Sequence, residues 1–261
     1  MRIVVVIPML FALFMAWHYY SSCRIGLVKF AKDSEPSALR ILFIGNSLTY
    51  ENDLPAIFVG IIKDRQPNKA LKVFASTAPG YALWQHARFN ETKQAIINQG
   101  PWDMVVLQDQ SQMPLNDATA TNMDQACLWF DSLIRRNHAH TVLLMTWSDF
   151  SKPKNQAMIS KVYRKIGQEL NATVIPAGEL MLEVSRKEPE IPLYLSDGRH
   201  PSPYGSYLIA CLLCDMLAQI KSEHATGDIH ESVCEILPKS IVTIPAPIAR
   251  KLQKYADSCV P

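Results

Sequence analysis

Five short apolar runs, each followed by a stretch of helical periodicity, constrain the fold of this chain more than any other feature of its 261 residues. Residues 39–44, 70–75, 101–108, 141–146 and 172–176 read as strands. Their apolar character is close to continuous rather than alternating, which marks strands buried on both faces. Between them, Ile57, Phe58, Ile61 and Ile62 share one helical face. So do Met123, Cys127, Phe130 and Ile134, and further on Ile159, Val162, Ile166 and Leu170. The patterns predict helices after Asn52-Asp53, over 83–98, over 118–137, around 159–170 and over 177–187. Strands alternating with helices across short loops form a parallel sheet covered on both faces, so the class is α/β with one core.

Outside this region the pattern changes at both ends. Arg2 precedes an uncharged apolar run from Ile3 to Trp17, with His18, Tyr19 and Tyr20 after it. That length suits a signal-peptide core better than a membrane span of about 20 residues. Residues 1–23 are therefore expected to be a signal peptide or a membrane anchor, and the protein to be exported: periplasmic, extracellular or held at a membrane by that segment. Residues 24–38 carry no period and read as a linker to a domain at 39–221. From Ser222 the pattern loosens into a C-terminal extension over 222–261, with a last helix over 246–257.

Lys and Arg exceed Asp and Glu by two and are scattered, which gives no nucleic-acid surface. Cys211 and Cys214 form a CxxC inside an apolar helical pattern, with no second pair at zinc spacing, and read as small buried hydrophobes. Cys234 and Cys259 both lie in the tail, where export would permit a disulfide. Trp84, Trp102 and Trp147 read as core residues.

Two loops carry the chemistry. The first strand stops at Gly45-Asn46, residues suited to a tight turn, and Ser47 follows. A hydroxyl there lies at the carboxyl edge of an α/β sheet, where such folds place ligands. The second loop, Ser196-Asp-Gly-Arg-His-Pro-Ser-Pro-Tyr-Gly205, is too rich in Pro and Gly for a helix or strand interior. Ser202 can cap and Pro203 can open the helix after it. A serine becomes a nucleophile when a base lies within hydrogen-bond reach and a third group fixes the base's tautomer. His200 and Asp197 supply both. General-base help is worth roughly 10²–10⁴-fold. The oxyanion of an acyl transfer also needs donors, and the N–H groups of Ser47 and Gly80 are candidates, with a side-chain amide from the third loop. The first loop has a single glycine, which excludes a G-x-G-x-x-G or phosphate-binding loop.

Gly45-Asn-Ser47, with Leu48 after it, resembles the first block of the SGNH hydrolases (the GDSL esterase/lipase superfamily), with Asn for the usual Asp. Gly80 falls where that superfamily's second-block glycine sits, and Asp197-Gly-Arg-His200 is similar to its last block, Asp-x-x-His. The third block, Gly-x-Asn-Asp, is absent. Gln108-Asp-Gln-Ser-Gln112 stands in its place, similar to a Gln-rich loop in some bacterial branches. Together the motifs span residues 39–220. The resemblance implies a three-layer α/β/α sandwich on a five-stranded parallel sheet, flavodoxin-like in order. It implies Ser47 as nucleophile, His200 as base and then acid, and Asp197 as the group orienting His200. Ser47 N–H, Gly80 N–H and a glutamine amide would hold the oxyanion: Gln110 first, Gln108 second, Gln112 third. No metal and no cofactor are implied. The implied reaction is hydrolysis of a short-chain carboxylic ester, acetyl foremost, on a small molecule or saccharide, through an acyl-serine. Transfer of the acyl group to another hydroxyl, and a catalytically silent exported binding or scaffold protein, stand as alternatives. Oligomeric state is left open.

Overall fold

A computed structural model of the protein describes residues 25–29, 38–232 and 238–259. The main sheet has six strands: β1 (Ile25–Lys29), β2 (Leu39–Gly45), β3 (Leu71–Thr77), β4 (Met104–Leu107), β5 (His140–Leu144) and β6 (Thr173–Ile175). Their spatial order is β1-β3-β2-β4-β5-β6. Strands β2 to β6 are parallel, in the expected flavodoxin-like arrangement. β1 pairs antiparallel with the free edge of β3, from Ile25 opposite Ser76 to Lys29 opposite Lys72. That strand lies in the stretch expected to be a linker. Five residues give too short a pattern to stand out in sequence, and the strand exists because it closes an open sheet edge.

Side chains on successive strand residues point to opposite faces, and each face has its own core. Ile41, Phe43, Val106, Val142 and Leu144 pack on one side against α2 (Leu54–Arg65), α7 (Ala177–Lys187) and α8 (Pro203–Leu213). Leu42, Ile44, Val105, Leu107 and Leu143 face the other way, toward α3 (Leu83–His86), α4 (Asn90–Asn98), α5 (Asp117–Arg136) and α6 (Gln156–Leu170). A four-residue helix, α1 (Ser47–Tyr50), precedes α2. The helix expected over 83–98 is two, because the chain turns at 87–89 and carries the His86 side chain into the interior.

The C-terminal extension joins the first of these cores. A hairpin, β7 (Asp228–Ser232) with β8 (Pro238–Thr243), and α9 (Ala246–Asp257) contribute Ile229, Val242, Ile244, Ala249, Leu252 and Ala256 to the layer around α2 and α8. Cys127, Cys211 and Cys214 are buried free thiols; a bond from Cys234 to Cys259 lies outside the described residues. The leader, 1–23, also lies outside them. Among the described residues no helix is long and apolar enough to cross a membrane, and no three His, Cys, Asp or Glu side chains converge as metal ligands.

Candidate active site

The turn after β2 is built on Asn46. Its side-chain oxygen accepts from Leu48 N (3.0 Å), capping α1, and its amide donates to Tyr81 O (2.8 Å) in the loop after β3. Ser47 is therefore the first residue of a helix, and its N–H is one of the donors that no helical carbonyl meets. Gln108, at the end of β4, locks the turn from below. Its carbonyl accepts from Asn46 N (2.9 Å) and Thr49 Oγ1 (2.8 Å), and its amide donates to Asn46 Oδ1 (3.1 Å) and Asp109 O. A Cβ on Gly45 would meet Gln108 Oε1 at 2.5 Å and Thr49 Oγ1 at 2.6 Å, so only glycine lets this lock close. The Gly45 carbonyl is held by His86 Nε2 (2.9 Å), whose Nδ1 meets Thr92 Oγ1 (3.0 Å). Burial pushes the His86 imidazole down to about 4, so it is neutral and donates from Nε2.

The second loop is fixed by three elements. Trp147 Nε1 donates to Arg199 O (2.9 Å), Phe150 N donates to Gly198 O (2.7 Å), and the Arg199 guanidinium pairs with Asp149 (3.0 Å). Ser202 Oγ accepts from Tyr204 N and Gly205 N, the predicted cap on a helix opened by Pro203. Asn52 Nδ2 donates to Pro201 O (2.9 Å) and Ser206 Oγ (3.0 Å), which ties the end of the Ser47 turn to the loop bearing His200. Asn52 and Asp53 precede α2 as expected, but neither caps it. Both take left-handed backbone (φ 53° and 54°), and Asn52 spends its amide on the second loop instead.

These supports bring Ser47, Asp197 and His200 together. Ser47 Oγ lies 2.9 Å from His200 Nε2, and His200 Nδ1 lies 2.5 Å from Asp197 Oδ2. With the Nδ1 proton donated to the carboxylate, Nε2 keeps its lone pair for the Ser47 hydroxyl. Asp197 Oδ1 accepts from Arg199 N (2.8 Å) and His200 N (3.0 Å). The hydrogen bond from His200, aided by these N–H groups, holds the Asp197 carboxyl down at about 2, although it is exposed. The set opens into a cleft of about 430 Å³ lined by Ser47, Tyr50, Gly80, Gln110, Arg199 and His200, among others.

No protein-family model matches the chain, and neither does any curated protein. Solved structures do. A protein of Slackia heliotrinireducens assigned as an SGNH hydrolase is 25% identical, over 68% of this chain and 98% of its own, with a TM-score of 0.56. The fold is that of the SGNH hydrolases. An acetylxylan esterase from Geobacillus stearothermophilus shares the fold at 17% identity, over 70% and 93% of the two chains, with a TM-score of 0.53. So does a DUF4886 family protein from Bacteroides uniformis, at 14% identity over 85% and 94%, with a TM-score of 0.63.

Within this SGNH fold the three glutamines separate cleanly. Gln108 is buried and both its amide protons are used within the protein, which removes it as an oxyanion donor. Gln110 lines the cleft; its carbonyl accepts from Gln112 N (2.6 Å), which leaves the NH₂ end without a protein partner among the described residues. Gln112 contributes that backbone N–H and is not part of the cleft wall. Gly80 also lines the cleft, in left-handed backbone (φ 68°). Trp102 and Trp147 are core residues as expected, whereas Trp84 is exposed with Arg88 5.0 Å above its ring. The supporting roles of Asn46, Thr49, Asn52, His86 and Asp149 had no signature in sequence, since each acts on a partner more than 30 positions away.

Proposed function

We propose that the protein is a serine esterase that removes short acyl groups, acetyl foremost, from hydroxyls of carbohydrates or similar polyols. The carrying observation is the unbroken line from Ser47 Oγ through the His200 ring to Asp197 at 2.9 and 2.5 Å. As the Ser47 hydroxyl attacks the ester carbonyl, His200 Nε2 takes its proton and Asp197 holds the imidazolium. The carbonyl oxygen becomes an oxyanion facing Ser47 N–H, Gly80 N–H and the Gln110 amide. Collapse expels the alcohol, protonated by His200, and leaves an acyl-serine. Water, deprotonated by the same imidazole, releases the acid and restores Ser47.

The cleft supports a short acyl group. It is about 430 Å³ and open, with Leu48, Tyr50 and Pro79 beside the polar Glu51, Ser111 and Arg199 in its wall. The esterase from Geobacillus stearothermophilus, which shares the fold, acts on acetylxylan. The apolar run at Ile3–Trp17 supports export, and cell fractionation with an antibody to the folded domain would test it.

The direct test is turnover of 4-nitrophenyl acetate and a panel of acetylated saccharides by wild type, Ser47→Ala and His200→Ala. The expected result is loss of about 10³-fold or more in either variant. Equal background rates in all three would leave a silent binding protein. Acyl-saccharide formation in excess over free acetate would mark a transferase.

A further inference from the structure

The third loop contains a carboxyl that the chemistry above does not use. Asp109 follows Gln108 and is fully buried. One of its oxygens, Oδ1, accepts two backbone N–H groups: Gln110 N at 2.7 Å and Leu83 N at 2.9 Å. The other, Oδ2, has no hydrogen-bond partner among the described residues. Around it lie the Cys127 thiol of α5 and the Tyr163 phenol of α6, which burial keeps neutral, and Tyr163 OH also accepts from Asp109 N (3.4 Å). Among the described residues no cation faces the carboxyl.

A buried, half-satisfied carboxyl opposes folding. An unpaired buried acceptor costs stability, and a buried charge costs more. The cost shows in its ionisation, which burial pushes up to about 7. Its two bonds, however, join two segments of the cleft wall. Leu83 N opens α3, three residues after Gly80; Gln110 N belongs to a residue that lines the cleft. Gly80 and Gln110 are the two oxyanion donors that lie outside the Ser47 turn. A single oxygen therefore fixes the spacing between the loops that carry them.

We propose that Asp109 is a positioning residue that sets the oxyanion hole by stapling the Gly80 loop to the Gln110 loop. The inference rests on the esterase reading. Stabilisation of an oxyanion depends steeply on donor placement, and errors near 1 Å can cost about 10²-fold. The ester in its ground state makes little demand on these donors, so the staple acts on kcat and not on KM.

Asp109→Leu keeps the branched shape and removes the acceptor; Asp109→Asn keeps an oxygen for both N–H groups. Rates are read per active site, counted by complete labelling with a fluorophosphonate, and thermal midpoints are recorded in parallel. The expected result is a kcat on 4-nitrophenyl acetate about 10- to 100-fold lower in Asp109→Leu, with KM within about 3-fold, and near-wild-type kcat in Asp109→Asn. Unchanged kcat per site in Asp109→Leu, or a change confined to KM, overturns the proposal. An Asp109→Leu chain that does not fold beside a fully active Asp109→Asn assigns the residue to folding alone and also overturns it. A wild type without turnover overturns the esterase reading and this one together, an outcome distinct from the other three.

Discussion

His200 divides its two nitrogens between partners of opposite character: a carboxylate that keeps its proton on Nδ1 and a hydroxyl that needs a lone pair on Nε2. Because Asp197 titrates at about 2, it stays ionised across the whole range in which such an enzyme is assayed. The acid limb of log kcat/KM is then expected to fall with slope one down to about pH 3, with no second step from Asp197. A slope of two in stopped rate measurements would mean that Asp197 titrates there as well. The glutamines give a second residue-scale expectation. Gln110→Ala removes a donor and should lower kcat about 10²–10³-fold, whereas Gln112→Ala keeps its backbone N–H and should lie within about 3-fold of wild type. The reverse order would move the oxyanion hole to Gln112. The order of these residues could not be settled in sequence, because three amides within five positions differ only in which way the loop turns them.

The elements themselves were largely legible. Buried parallel strands announce themselves by apolar continuity, and the helices by one apolar stripe each. The strand β1 and the break between α3 and α4 were not, because each depends on a distant partner: the free edge of β3 for one, and the Gly45 carbonyl that draws in His86 for the other. The junction of α1 and α2 is the clearest case. Asn-Asp before a helix reads as a cap, yet Asn52 holds left-handed backbone in order to reach Pro201 and Ser206. Asn52→Ala loses both bonds and keeps the unfavourable φ. It is expected to destabilise by about 1–3 kcal/mol in urea unfolding and to lower kcat along with stability. Wild-type behaviour would make the two loops independent of each other.

At the scale of the whole molecule, the segment beyond Ser222 is part of the fold. Its apolar residues fall in a proline-broken run at 240–248 and on a last helix, and nothing in that pattern betrayed that they complete the layer over α2 and α8. The same junction holds a buried acid: Asp215 accepts from Ser222 N (2.7 Å) and lies beside Asp257 at the end of α9. Burial, with Asp257 adding to it, raises the Asp215 carboxyl to about 8. The folded state therefore binds a proton that the unfolded chain has lost by about pH 5. That contribution is complete below about pH 4 and is lost as pH rises through about 8. Asp109 adds a decline of the same sign that ends near 7. Asp215→Asn should therefore flatten the fall of the thermal midpoint between about pH 7 and 8, and an unaltered slope there would place the proton elsewhere.

The central claim is that Ser47 carries the acyl group, and acid-quenched protein taken during turnover of 4-nitrophenyl acetate answers it directly. Peptide-resolved mass spectrometry is expected to find one acetyl group on Ser47, absent from Ser47→Ala and depleted in His200→Ala. Steady turnover with Ser47 unmodified, or acetyl on another residue in its place, would contradict the account.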